Sequence, residues 1–279
     1  MIEAPEARYL CEQLNETVKG KKITEVYTQF SPHKFAWFSG QSEEYMEWLS
    51  GKMINQAQPQ GGMIEITIED KVLILTDGVN LRYLPPASQL PNKHQLLVAF
   101  EDESCLVASI RMYGGIMCYD KNDVQGAMAE YYRTAVNKPQ VMSVAFNKSY
   151  FLGLINDEKA QKKSAKAFLA TEQTIPGLGN GVLQDILYHT HIHPRKKIAT
   201  LSDKEKESLF DQIKETMNDI YQQGGRNTET DLFGKKGNYV PCLSKDTAGT
   251  ACPRCGETIC KENYLGGSIY YCRGCQPLD

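Results

Sequence analysis

Hydrophobic positions along the chain follow three successive patterns. Over residues 5–19 they fall at Ala7, Leu10, Cys11, Leu14 and Val18, the spacing of one helix face. Pro5 suits the first turn of that helix and Gly20 its stop. From Ile23 to about Tyr119 the period shortens to that of strands. Ile64-Glu65-Ile66-Thr67-Ile68 alternates, Val72–Leu75 is a short apolar run, and Asp70-Lys71 and Asp77-Gly78 mark turns. Leu96–Phe100 and Cys105–Ile110 form a hairpin around Glu101-Asp102-Glu103. At least six short strands of this kind predict a β-sandwich.

The chain then turns helical, after an irregular stretch with some helix over 120–155. One helix is predicted over Glu158–Ala170 and another over Gly181–Thr190, entered through Ile175-Pro-Gly-Leu-Gly-Asn180. Leu201-Ser202-Asp203 caps a long helix reaching about Gln223, which Gly224-Gly225 ends. Residues 234–251 read as a Gly-rich polar linker. The fold class is α+β, divided at 1–125, 126–234 and 235–279.

After the linker comes Cys252-Pro-Arg-Cys255, then Cys272-Arg-Gly-Cys275. Two such knuckles joined by a hairpin supply four thiolates for one tetrahedral ion, so a structural Zn²⁺ is expected. The competing readings are a disulfide or redox pair, or four scattered core cysteines. Cys11, Cys105, Cys118, Cys242 and Cys260 lack this spacing and read as small buried apolar residues, although Cys260 lies inside the ribbon.

Composition narrows the class. No apolar run is long enough to span a membrane, and no secretory leader opens the chain. An odd count of nine cysteines favours a reducing, cytoplasmic setting over disulfides. The net charge of −3 argues weakly against a bulk polyanion binder, but it is unevenly spread. Residues 1–150 hold 14 basic and 18 acidic side chains and residues 151–279 hold 17 and 16, so the ribbon half is the more basic.

The segment Gln173–Asp185 carries further chemistry. Gly177 and Gly179 let backbone approach a ligand, the following helix start offers free N–H groups to a phosphate, and Asn180 could share it. An ordinary tight turn between helices is the alternative. His191 and His193, beside Arg195-Lys196-Lys197, read as a surface turn rather than a metal site.

These residues carry a resemblance. Ala165–Leu169, Gln173–Gly181, Ile192-His-Pro and Leu201-Ser202 resemble the helix–two-turn–helix of the formamidopyrimidine-DNA glycosylase and endonuclease VIII family. Its members excise oxidised bases and cut the abasic strand. The opening Met1–Glu6 and the C-terminal ribbon resemble that family's two ends. The resemblance implies that Asn180 holds a backbone phosphate, with Lys166 nearby. It implies that Tyr113 fills the gap left by an extruded base and that Arg111 contacts the orphaned partner. It implies that Glu3 works as general acid–base, with Glu6 also retained. For both glutamates, decoration of a helix N-terminus is the alternative.

Four positions depart from the family pattern. Ile2 stands in place of the nucleophilic proline, and a retained Met1 would displace the free amine by one residue, about 3.8 Å. Were Met1 removed, the amine of Ile2 could still form a Schiff base. Gly62 replaces the catalytic lysine, Thr76-Asp77-Gly78 replaces the methionine wedge, and Gly267 replaces the ribbon arginine. The function implied is a base-excision DNA glycosylase acting as a monomer on damaged double-stranded DNA, with one structural Zn²⁺, no membrane partner and a nucleoid-associated location. Its AP-lyase step would depend on the Ile2 amine. A non-catalytic binder of damaged or flipped nucleic acid is the main alternative. A fully bifunctional enzyme and a zinc-stapled interaction module are the others.

Overall fold

The computed structural model describes residues 1–278, except for the side chain of Met128. Helix α1 (Ala4–Thr17) opens the chain with Pro5 in its first turn. It ends close to the predicted stop. Its apolar face, Ala7, Leu10, Cys11 and Leu14, enters the first core.

Nine strands follow: β1 (Ile23–Thr28), β2 (Ala36–Phe38), β3 (Ile54–Gln60), β4 (Met63–Ile68), β5 (Lys71–Leu75), β6 (Val79–Leu84), β7 (Leu96–Phe100), β8 (Cys105–Ile110) and β9 (Gly114–Asp120). They form two sheets, β1-β7-β8-β6 and β2-β9-β5-β4-β3, in which only β2 and β9 pair in parallel. Val98 and Leu106 from one sheet and Ile66, Leu73 and Ile116 from the other share the core with α1, as a sandwich requires.

The alternation in β4 predicts one wet face, yet all six residues are buried. The reason is a helix on the outer face, α2 (Ala127–Val136). Its Tyr132 and Ala135 pack on Met63, Val72, Ile74 and Met117. Glu65 is therefore interior, where it accepts bonds from Gln58 (2.7 Å), Gln60 (3.0 Å) and the Tyr132 hydroxyl (2.6 Å). A buried carboxylate without such donors would be strongly destabilising.

A short helix over Tyr45–Leu49 lies between β2 and β3, and after α2 come α3 (Lys148–Asn156), α4 (Glu158–Gln161), α5 (Ala165–Ala170), α6 (Leu183–His189) and α7 (Asp203–Gln222). The single helix predicted over 158–170 is broken. Ser164 takes extended backbone angles and caps α5 by accepting the Ala167 N–H, a local alternative that serine offers a helix. Ser202 and Glu205 form a reciprocal capping box at the start of α7. Phe151, Phe168, Leu187, Leu209, Ile213 and Ile220 build a second core from these helices.

Strands β10 (Ile259–Tyr264) and β11 (Gly267–Cys272) form the ribbon hairpin. It docks on the helical core through Gln276, whose amide donates to the Ile192 carbonyl (2.9 Å) and accepts the Cys272 N–H (3.0 Å). Buried Asp185 on α6 anchors the preceding linker by accepting the N–H groups of Cys242 (3.0 Å) and Leu243 (2.9 Å) and the Tyr239 hydroxyl (2.8 Å).

Candidate nucleic-acid cleft and metal centre

Two glycine-bearing turns and the N-terminal segment meet where the two cores touch. The β3–β4 turn places Gly61 at φ +63°, and the loop before α6 places Gly177 at φ +78°. A Cβ on Gly177 would lie 2.5 Å from the Gly61 carbonyl carbon and 2.7 Å from the Ala4 Cβ, so only glycine permits the contact. The Ala4 N–H donates to the Gly177 carbonyl at 2.8 Å. Gly62 lies in the same junction, where an added Cβ would meet the Ile2 carbonyl oxygen at 3.0 Å. The position of the family's lysine is thus filled by a backbone contact with the N-terminal segment.

That contact delivers Glu3 to the loop. Its Oε2 accepts the N–H groups of Gly179 (2.7 Å) and Val182 (3.2 Å), and its Oε1 accepts that of Gly181 (2.8 Å). The helix-start amides expected to receive a phosphate are therefore occupied by the chain's own carboxylate. Gly179 and Gly177 serve this internal closure. The electrostatic logic is the anticipated one, with a different anion.

Arg226, which no sequence pattern singled out, lies at the centre of this closure. It donates to Glu3 Oε1 (3.0 Å), to both oxygens of Glu6 (2.7 and 3.1 Å) and to the Met1 carbonyl (3.0 Å). Burial works against its charge, but Glu3 and Glu6 push its pKa above the ordinary value. Burial likewise raises Glu6, and the ion pair with Arg226 outweighs it, leaving Glu6 below its usual value. Glu6 also accepts the Glu3 N–H at 3.1 Å, completing the capping box of α1. It is a structural ion-pair partner, and both its oxygens are taken.

Above this closure opens a cleft of about 540 Å³, lined by Glu3, Asp77, Arg111, Met112, Asn180 and Arg226 among others. The Met1 ammonium lies at its edge, 3.0 Å from Glu229. Ile2 is buried, and its backbone N–H donates to the Asp77 carbonyl at 2.9 Å. The β8–β9 loop carries Arg111, Met112 and Tyr113 past the β5–β6 turn so closely that a Cβ on Gly78 would strike the Tyr113 carbonyl oxygen at 1.7 Å. Met112 is the more exposed (64%) and faces the cleft. Tyr113 turns into a neighbouring cavity of about 480 Å³ with Trp37, Asp77 and Tyr131.

The ribbon tip reaches the other side of the cleft. Lys166 is buried and donates to the carbonyls of Tyr264 and Gly267, and burial lowers its pKa. Asn180 Nδ2 donates to the Ser268 carbonyl (2.8 Å), while its Oδ1 is buried without a partner. A Cβ on Gly267 would lie 3.4 Å from Lys166 Nζ and 3.5 Å from the Asn180 amide. Asn180, Lys166 and position 267, which the resemblance groups by role, are thus spatial neighbours.

The four ribbon thiols converge, with all Sγ atoms within 4.8 Å of one another. Cys252 and Cys275 are 3.7 Å apart and Cys255 and Cys272 are 3.3 Å apart. A tetrahedral ion with Zn–S bonds of about 2.3 Å separates its sulfurs by roughly 3.8 Å, so the donor set fits a metal centre. Its surroundings fit as well: the Tyr188 hydroxyl lies 3.2 Å from Cys252 Sγ. Cys260 is outside the cluster. The His191–His193 turn makes no metal site: His191 Nδ1 lies 2.9 Å from the Cys275 carbonyl oxygen, and His193 packs against the Tyr271 ring. No helix among the described residues is long and apolar enough to cross a membrane.

Comparisons with known proteins agree with this geometry. Residues 139–231 match the family model for the formamidopyrimidine-DNA glycosylase H2TH domain. The chain is 26% identical over 285 residues to formamidopyrimidine-DNA glycosylase of Streptococcus pneumoniae (strain R6), covering 100% of both chains. It is 25% identical over 283 residues to the enzyme of the same name from Lactococcus lactis, covering 99% of both. Among solved structures, the Lactococcus lactis protein in complex with abasic-site DNA superposes with a TM-score of 0.83 at 22% identity, covering 99% of this chain and 100% of that one. The complex of the same protein with Fapy-dG DNA also matches with a TM-score of 0.83. Similarity to formamidopyrimidine-DNA glycosylases therefore runs along the whole chain, with the H2TH domain model matched over residues 139–231 and Ile2 standing where the resemblance expects an N-terminal proline.

Proposed function

We propose that this protein is a base-excision DNA-repair glycosylase that binds damaged double-stranded DNA as a monomer and releases a damaged base. The observation that carries the reading is the cleft itself. One wall bears an exposed loop able to enter a base stack, the floor bears carboxylates, and the opposite wall bears Asn180 and the ribbon tip. Relatives that match along the whole chain carry a DNA glycosylase name, and solved neighbours are complexes with abasic and lesion-bearing DNA.

A helical unit over 126–234 would grip the duplex, a sandwich unit over 1–125 would carry the chemistry, and the segment 235–279 would brace them. Cys252, Cys255, Cys272 and Cys275 would hold one structural Zn²⁺, which folds the hairpin and takes no part in the reaction. A cytoplasmic, nucleoid-associated location belongs to the same reading.

Strand cleavage through a Schiff base stands outside it. With Met1 in place, its ammonium is held by Glu229 and the Ile2 nitrogen is an amide bonded to the Asp77 carbonyl, and Gly62 offers no lysine, so an amine mechanism would require removal of Met1. The test is a panel of duplexes, each carrying one oxidised or ring-opened base, assayed for base release with and without borohydride. Release from at least one substrate with no trapped adduct is expected. Tight binding of an abasic duplex with no release from any member would replace the enzyme reading with a binder. A trapped adduct would restore the amine mechanism.

A further inference from the structure

Glu3, the carboxylate that the resemblance assigns to acid–base work, has little freedom to perform it. Three backbone N–H groups and the Arg226 guanidinium occupy its two oxygens. A second carboxylate lies in the same cleft. Asp77 sits on the β5–β6 turn where the cleft meets the aromatic cavity, and it lines both. Its carbonyl is tied to the Ile2 N–H, and its Cβ lies 3.5 Å from the place a Cβ on Gly62 would take. No hydrogen bond or ion pair engages its carboxyl group among the described residues, and the nearby N–H groups of Asp77 and Gly78 only weakly favour the charged form.

We infer that Asp77 is the general base of base excision in this protein, taking the proton from the water that attacks C1′ of the extruded nucleotide. The inference rests on the base-excision reading above. The water oxygen bonds to C1′ as the C1′–N bond breaks, and that bond's electron pair leaves with the base nitrogen. The water proton passes to Asp77 and then to the departing base. The products are the free base and an abasic sugar bearing a hydroxyl at C1′.

The electrostatics agree with this role. Burial, and then the nearby Glu3 charge, raise the Asp77 pKa to about 6, against the opposing pull of the amino terminus. A carboxylate so tuned is ionised at neutral pH yet basic enough to take a proton in the transition state. The groups facing it are Glu3 and the Met1 ammonium from the N-terminal segment, Tyr113 from the β8–β9 loop and Tyr131 from α2, with Arg111 in the same cleft. Both tyrosines are pushed upward by burial and by Asp77, so neither titrates near neutrality.

The experiment is single-turnover base release by the full chain, Asp77→Asn and Asp77→Glu across pH 5–8.5, alongside binding to a tetrahydrofuran-containing duplex. Asp77→Asn should slow release by about 10²–10⁴-fold, the range for a removed general base. It should bind the duplex at least as tightly as wild type, because it removes a negative charge that faces phosphates. Wild-type release should rise with pH through about 6, a limb retained by Asp77→Glu and absent from Asp77→Asn. Wild-type rates in Asp77→Asn, with the limb intact, overturn the inference and leave the base-excision reading standing. Absence of release by the wild type from every substrate overturns both. If Asp77→Asn melts early, the wild-type limb and Asp77→Glu decide, and a flat profile overturns the inference.

Discussion

Replacing Arg226 with methionine should destabilise the protein in a way that depends on pH. Arg226 joins residues 1–6 to the exit of α7 across 223 positions of sequence, and its side chain is 4% exposed. Glu3 keeps three amide donors after the substitution, whereas Glu6 loses all its guanidinium contacts. Breaking a buried ion pair from one side costs about 3–5 kcal/mol. With an unfolding entropy of about 2.1 cal/mol/K per residue over 279 residues, the loss corresponds to a Tm drop of roughly 5–9 °C. In the wild type the folded pKa of Glu6 lies below its ordinary 4.5, so its stabilising contribution is present above that value and is lost as pH falls through the folded pKa. In the variant an unpaired, buried Glu6 has a raised pKa, and its penalty fades as pH falls and it takes up a proton. Calorimetric Tm values at several pH settings should therefore show the widest gap near about pH 8 and a narrower one near about pH 5. A gap below about 1 kcal/mol, or one that does not change with pH, would refute the assignment of Arg226 as the charge that stabilises the closure.

Cys272→Ser should lower bound zinc from one equivalent towards none by elemental analysis, and should expose the ribbon to protease while the sandwich resists. Met112→Ala should weaken binding to a duplex with an abasic analogue more than Tyr113→Ala does, by about 1.5–3 kcal/mol for a lost apolar wedge, as read by fluorescence anisotropy. The reverse order would place Tyr113 in the stack. Asn180→Ala should weaken the same binding by about tenfold or more, since a hydrogen bond to a charged phosphate contributes roughly 1.5–3 kcal/mol. Unchanged affinity would leave Asn180 as a clamp for Ser268 alone.

The sequence by itself determined whatever depends on spacing over a few residues. The face of α1, the N-terminal cap of α7, the β7–β8 hairpin and the four-thiol cluster each follow from residues close together in sequence, the widest being the 23 positions between Cys252 and Cys275, and each is present. Ser164 marks the limit of that reasoning: an apolar period ran through it, and only the observed backbone shows that its cap breaks the helix in two. The tertiary structure decided the rest. It buried both faces of β4, because the covering helix lies more than fifty residues away, and it turned Tyr113 out of the cleft while leaving Met112 in it. It gave the helix-start amides to Glu3, made Arg226 the partner of two N-terminal carboxylates, and left Asp77 with no side-chain partner beside them. The physical reason is the same in each case. Local spacing fixes backbone geometry, but which charge neutralises which, and which carboxylate stays free, depends on contacts between distant segments that one sequence does not encode in any local pattern.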